Sequence, residues 1–444
     1  MSSKPRLHVL GAVFASLFGT AGAMAQEAPA ATRVISFDQA IEIALAQNDT
    51  LRQARNAAAL GELDVTQARR SFLPDLRATG QSSRSFGRAD GDGTRTTSLG
   101  VSSGVTLFDG FSNTASLAGA RFASTASGQD LARAGETVVF TVAGNFLALV
   151  QQREELRVQR ENLTAQAALA AQIDTFVKAG ARTIADLYQQ QANVASAQLA
   201  VVQAERAAEL ARIDIIVTLR LDPRGTYEFV TPQISQPAAI ARESLDALIT
   251  RAFATRADIR ASEARLAAAR EDIRVAKSTR WPTVTLAAGY GSSFSSADPD
   301  DWRDQLADER GGSVGLNLVL PIYDRSATRI AVRGAEIRAD SAQIDLDSLE
   351  QDVGSQVRTA VLDLESARAQ LTAAEAQLAA AERALEVTDQ RYKAGAATLV
   401  ELTESRATQV AAASAAVTAR YDVEFRRRLL AYYVGGLTPE SVRF

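Results

Sequence analysis

The chain of 444 residues contains no cysteine and one histidine, His8. Without cysteine no disulfide can hold it together. Zinc sites of the usual Cys/His kind and Cys-His nucleophiles are excluded as well, and a Ser-His nucleophile could draw only on His8. Aromatic residues make up only 6%, so a thick aromatic core is missing. Alanine dominates the apolar residues instead, which favours long helices packed at close range. Mean hydropathy of -0.06 and 23% charged residues exclude a bundle of transmembrane helices. A net charge of -4 argues against nucleic acid as a partner.

The N-terminus carries Lys4 and Arg6, then the apolar run VLGAVFASLFGTAGAMA. Ala23-Met24-Ala25 fits a small-x-small cleavage site, so residues 1–25 are predicted to be a secretory signal peptide. No cysteine follows to carry a lipid. Cleavage would remove His8 and two positive charges, leaving a more acidic chain.

What is present is a repeat. FVKAGARTIADL begins at 176, and RYKAGAATLVEL begins at 391, 215 positions later. The same offset aligns TLFDGF (106–111) with PIYDRS (321–326), and Leu149, Leu156 and Leu163 with Leu364, Leu371 and Leu378. Upstream, FLPDL (72–76) matches RWPTVTL (280–286) at an offset of about 208. The chain is read as a tandem duplication, residues 26–257 and 258–444, each with the same order of parts.

In the second copy, Val284, Leu286, Ala288 and Tyr290 alternate with small polar residues, as do Val314, Leu316, Leu318, Leu320 and Ile322. This predicts a β-hairpin over about 280–323 with a polar loop between the strands. Leu99, Val101, Val105 and Leu107 predict a weaker counterpart within about 72–108. Strands of about ten residues with one apolar face suit either a soluble sandwich or a bilayer-spanning barrel. From about 326 to 392 there is no proline, and Ala360, Ala367, Ala374 and Ala381 run four residues ahead of Leu364, Leu371, Leu378 and Leu385. That heptad seam predicts a helix of about 67 residues, roughly 100 Å long. Its partner is predicted over about 112–177.

Each long helix meets the repeated word. Gly180 and Gly395 sit where a left-handed residue ends a helix. Thr183-x-x-Asp186 and Thr398-x-x-Glu401 read as capping boxes. The word is therefore a helical hairpin tip (178–182 and 393–397), followed by return helices over about 183–221 and 398–434. Shorter helices are predicted over about 49–71 and 258–279. Segment 222–257 reads as a middle belt, and a short tail follows residue 434. The fold class is mostly α with a small β part.

Four strands from one chain cannot close a barrel, and hydrocarbon tolerates no open sheet edge. Membrane strands here require an oligomer. The competing reading is a trimeric coiled-coil rod or adhesin without a conducting lumen. A rod needs neither membrane-length hairpins nor duplicated tips. No enzymatic constellation, metal site or cofactor motif is present.

The motifs ISFDQAIEIALAQND (35–49), TLFDGF, both KAG-x-x-T words and RYDVEFRRRLLAYYVGGL (420–437) carry a resemblance across the mature chain. The chain resembles the TolC-type outer-membrane efflux proteins. The resemblance implies a homotrimer whose twelve strands form one transmembrane β-barrel, continued by a coiled-coil α-helical barrel through the periplasm. It implies a passive exit duct for a tripartite efflux or type I secretion system. Its partners would be a periplasmic adaptor, an inner-membrane pump or ABC transporter, and outer-membrane lipid. Its location would be the outer membrane of a Gram-negative-type bacterium.

By the same resemblance, Glu401 and Glu404 line the pore constriction, where a ring of carboxylates favours cations. Glu401 also has its capping duty. Tyr392 and Asp186 match two members of the family's closed-tip lock. The third position holds Ala397, while an arginine stands at the corresponding first-copy position, Arg182. Gly180, Thr183, Leu187, Gly395, Thr398 and Leu402 would form the grooves that receive the adaptor.

Overall fold

The computed structural model describes residues 33–85, 93–230, 243–435 and 437. The predicted signal peptide and the tail beyond 437 lie outside them. In chain order the elements begin with β1 (Arg33–Ile35), α1 (Phe37–Gln47), α2 (Asp49–Arg70), β2 (Arg77–Arg84), β3 (Arg95–Phe108), α3 (Ser112–Lys178), α4 (Ile184–Thr218) and β4 (Tyr227–Phe229). They continue with α5 (Leu245–Thr255), α6 (Ala257–Ser278), β5 (Thr283–Ser295), α7 (Trp302–Asp308), β6 (Gly311–Val319), α8 (Ala327–Lys393) and α9 (Leu399–Val434).

α3 and α8 each have 67 residues and start 215 positions apart. The turn that launches them is also duplicated. The Asp109 carboxylate accepts from Asn113 N–H, and Asp324 accepts from Thr328 N–H, both at 2.7 Å. Phe111 and Ser326 follow at φ 70° and 69°. α1 and α5 are related at an offset of 208, and so are α2 and α6. Ser36 and Ser244 are the corresponding N-caps. The helical part of the second copy thus begins no later than Leu245, inside the segment read as the middle belt. The only other described secondary structure in that belt is β4, paired parallel with β1.

The Ala/Leu seam of α8 is inward-facing. Ala360, Leu364, Ala367 and Ala381 are buried. α8 packs on α6 and α9, and α3 packs on α2, α4, α6 and α9. One core joins α1, α3, α4 and β4, where Phe146 stands edge-on to both Phe37 and Phe229. A second joins α5, α6, α8 and α9. α3 includes a stretch apolar enough to cross a membrane, but Val138, Val142, Phe146 and Leu149 on it are buried in the first of these cores.

Between the cores lies a charged node. Arg256, only 3% exposed, grips Asp258 through both its Nε and an Nη and donates to the Tyr433 carbonyl at 3.1 Å. Arg133 donates to the Tyr432 carbonyl, and Thr255 to the Val434 carbonyl. These donors serve the carbonyls of the last turn of α9, where the helix runs out of its own N–H groups; Tyr432 also accepts from the C-cap Gly435 N–H.

The four-stranded sheet has the order β2-β3-β5-β6, all antiparallel, so the two hairpins join through β3 and β5. Directly paired residues share a face. Leu286 pairs with both Leu316 and Val105, Val284 with Leu318, and Tyr290 with Val101. An apolar band therefore crosses the sheet on one side, and these side chains are largely exposed. The opposite face carries Thr285, Gly100, Ser102, Gly315 and Asn317. Among the described strands β2 and β6 are unpaired edges, and the sheet does not close on itself.

Two details depart from the sequence reading. β6 ends at Val319 rather than near 323, because Pro321 has no N–H to give the ladder. The polar loop between β5 and β6 contains α7, whose Gln305 accepts from Ser295 N–H and donates to the Asp300 carbonyl.

Candidate functional site

The site is the paired helical tip. α3 ends in a Schellman turn: Gly180 N–H donates to the Val177 carbonyl and Ala181 N–H to the Phe176 carbonyl. α8 repeats it with Gly395 on Tyr392 and Ala396 on Arg391. The glycines stand at φ +76° and +75°, with open space where a Cβ would point. Conformation, not crowding, requires glycine here.

Both return helices start in complete capping boxes. Thr183 Oγ1 accepts from Asp186 N–H, while the Asp186 carboxylate accepts from Thr183 N–H and hydroxyl. Thr398 and Glu401 repeat the arrangement, with Thr398 N–H donating to the glutamate at 2.7 Å. The Thr398 backbone and side-chain hydrogen bonds hold the Glu401 carboxyl below the usual glutamate range. Glu404 lies one turn along the same helix. Both glutamates are exposed.

The two hairpins share one apolar plug. Leu169, Ile173 and Leu187 come from the first, and Tyr392, Ala397, Leu399 and Leu402 from the second. Leu402 is 0% exposed and Leu187 8%. These two leucines therefore do not line an open adaptor groove, a correction to the sequence reading. They occupy the fourth helical position, where a hydrophobic staple folds back on the residue before the cap. In the second tip that residue is Ala397, buried in the same cluster. Gly180, Thr183, Gly395 and Thr398 are exposed.

The expected Tyr392–Asp186 bond is not formed in this chain. The Tyr392 hydroxyl is buried without a hydrogen-bond partner. Burial pushes that phenol up, opposed by Arg182 and reinforced by Asp186. The Asp186 carboxylate is engaged in its own capping box, and backbone geometry wins over the longer-range contact. Arg182 instead places its guanidinium 4.7 Å from the centroid of the Tyr392 ring.

Sequence reasoning missed three polar features near the tip. Gln190, fully buried, donates to both the side-chain and backbone oxygens of Gln166. The second copy has Ser405 and Ala381 there, so this clasp is unique to the first hairpin. Thr403 Oγ1 and Arg406 Nε are buried without hydrogen-bond partners. Arg406 is pushed down by burial, against the pull of Asp389. Its place on α9 two residues beyond Glu404 was the available signal.

Residues 40–219 and 248–436 match the outer membrane efflux protein family, and the chain belongs to it. Among similar proteins, CyaE of Bordetella pertussis is 28% identical over 300 residues, covering 67% of this chain and 62% of the relative. The pyoverdine export outer membrane protein OpmQ of Pseudomonas aeruginosa is 27% identical over 396 residues, 86% of this chain and 81% of the relative. The fold is similar to the Campylobacter jejuni CmeC outer membrane channel, with TM-score 0.76 at 18% identity over 97% of this chain and 94% of that one.

Proposed function

We propose that three copies of this chain form a passive exit duct through the outer membrane of a Gram-negative-type bacterium. The carrying observation is the open four-stranded sheet with an apolar band on one face. Such a sheet satisfies its edge hydrogen bonds in hydrocarbon only by pairing with other copies. Three copies of four strands give twelve, an even number within the bacterial range of about 8 to 26.

The helices support the same closure. α8 exposes Ile330, Ile337 and Ile344 at heptad spacing. α4, which packs chiefly on α3, exposes Leu199, Val202, Leu210, Ile213 and Val217. Each subunit thus presents an unfilled apolar seam on the helices at its two edges. Joined seams give a helical barrel of about 100 Å, long enough to reach deep into the periplasm. The domain organisation follows: one hairpin and one long coiled coil per copy, duplicated.

The tips close that barrel at its periplasmic end. Glu401 and Glu404 form its carboxylate ring and select cations. The exposed turns at Gly180, Thr183, Gly395 and Thr398 receive a periplasmic adaptor, which couples the duct to an inner-membrane pump or ABC transporter. The export role named for the OpmQ relative supports an efflux or secretion duct rather than a rod. The test is the mass of the detergent-solubilised protein after subtracting bound detergent. Three chains per particle are expected; a stable soluble monomer would defeat the proposal.

A further inference from the structure

Four chain connections lie at the helical end of the four-stranded sheet: 71–76, 109–111, 279–282 and 320–326. Each exposes large apolar side chains, among them Leu76, Phe111, Trp281, Ile322 and Tyr323. Cations crowd the same level. Arg69 and Arg70 end α2, Lys277 and Arg280 bracket the end of α6, and Arg325 precedes α8. All five are exposed, and none has an ion pair or a side-chain hydrogen bond among the described residues.

The acids nearby are already engaged. Asp75 pairs with Arg77 at 2.9 Å and accepts from Gly104 N–H at 2.8 Å. Asp109 and Asp324 hold the turns into α3 and α8. Glu271 is paired with Arg274. The hairpin end of the sheet is the reverse: residues 298–310 carry six acids against Arg303 and Arg310. Joining copies does not cancel the basic end. Where the β6 edge of one copy meets the β2 edge of the next, Arg325 approaches Arg69 and Arg70, cation to cation.

We infer that these connections form a binding surface for anionic phospholipid headgroups on the periplasmic side of the bilayer. Arg69, Arg70, Lys277, Arg280 and Arg325 take the phosphates, and Trp281 and Tyr323 lie at headgroup level. Aromatic rings with a polar tip settle at that level. Lys and Arg run their stems over apolar surface to reach the charged layer. Clustered basic residues beside a membrane span favour acidic lipids over neutral ones. The inference rests on the duct reading, which puts the sheet in the bilayer and the helices in the periplasm.

The experiment incubates the full chain in detergent with equal amounts of phosphatidylglycerol and phosphatidylcholine of identical acyl chains. The protein is repurified, and its retained lipid is quantified by mass spectrometry. Several-fold enrichment of phosphatidylglycerol is expected at low salt, falling to parity at about 1 M, where charges are screened within about 3 Å. Changing all five cations to glutamine should abolish the enrichment. Lys277→Gln with Arg280→Gln, away from both sheet edges, should lower it on its own. Arg303→Gln with Arg310→Gln, at the hairpin end, should leave it unchanged. Equal retention of the two lipids, or enrichment that survives the five changes or is lost in the hairpin-end control, would overturn the inference and leave the duct standing. Glycerol phosphate competing as well as phosphatidylglycerol would overturn it in favour of a free phosphate site. Retention of neither lipid would overturn the duct reading as well.

Discussion

The Arg182 guanidinium lies 4.7 Å from the centre of the Tyr392 ring, joining the first tip turn to the end of the second long helix. The tyrosine contributes its face, not its hydroxyl, which is buried and unbonded. Tyr392→Phe should therefore be neutral or stabilising by up to about 1 kcal/mol, since it removes an unsatisfied polar group. Tyr392→Ala should cost about 3–5 kcal/mol as a core truncation. Thermal unfolding of both variants checks this. A loss of several degrees in Tyr392→Phe would restore the hydroxyl to a bonding role.

Removing the cation should loosen the tip without unfolding the protein. A cation–π contact at such a site contributes about 0.5–1 kcal/mol. Arg182→Ala should raise the resting conductance of the reconstituted protein, while Arg182→Lys should be intermediate. Equal conductance in all three would remove Arg182 from the closed state.

The capping boxes make the second tip acid-sensitive. The Glu401 carboxyl is held down in the folded chain, mainly by the Thr398 backbone bond. A depressed carboxylate stabilises above its unfolded pKa and loses that stabilisation as pH falls through its folded pKa. Amide exchange of residues 398–402 should therefore quicken as pH drops below the ordinary glutamate range, after correction for intrinsic rates. Glu401→Gln should abolish the pH dependence. Thr398→Ala should cost about 1 kcal/mol at neutral pH.

The duplicated β-to-α turn is built with unequal residues. Gly110 stands at φ +65°, and a Cβ there would come 2.5 Å from the Ser278 carbonyl oxygen. Its counterpart Arg325 adopts φ +53°. Gly110→Ala should destabilise by about 1–3 kcal/mol through left-handed strain and the clash. Arg325→Gly should be neutral or slightly stabilising. Thermal melts of the two variants should move in opposite directions or differ by several degrees.

Much of this architecture is legible in residues that repeat. The offsets, the helix-ending glycines and the Thr-x-x-acid words each report a local backbone requirement, so local sequence is enough to read them. What escaped the sequence depends on competition between partners. Asp186 could bond Tyr392 or its own N-cap, and only the folded geometry shows that the cap wins. Leu187 and Leu402 look like tip-surface residues in the linear word, yet the staple geometry turns them inward. The β3–β5 junction joins residues nearly 200 positions apart, and no local pattern encodes it. Pro321 was the readable signal for the end of β6, and its missing N–H was outweighed by the alternation around it.

The pair of buried Arg256 with half-buried Asp258 should be more critical than its surface counterparts. Burial alone would raise the Asp258 carboxyl, but the Arg256 hydrogen bonds and nearby Arg133 hold it below its ordinary range. Arg256→Ala would strip that carboxylate of its main partner and free the Tyr433 carbonyl, at a cost of about 3–5 kcal/mol. Arg157→Ala, which breaks exposed i,i+3 and i,i+4 pairs, should cost under about 1 kcal/mol. Denaturant unfolding of the two variants separates them.

The central claim is a conducting lumen that narrows at the acidic tip. Single-channel current through the purified protein in a planar bilayer, under a salt gradient, tests it most directly. Small cation-selective steps are predicted, with selectivity lost in the Glu401→Gln, Glu404→Gln double variant. A bilayer that stays silent, even after Arg182→Ala loosens the tip, would contradict the duct.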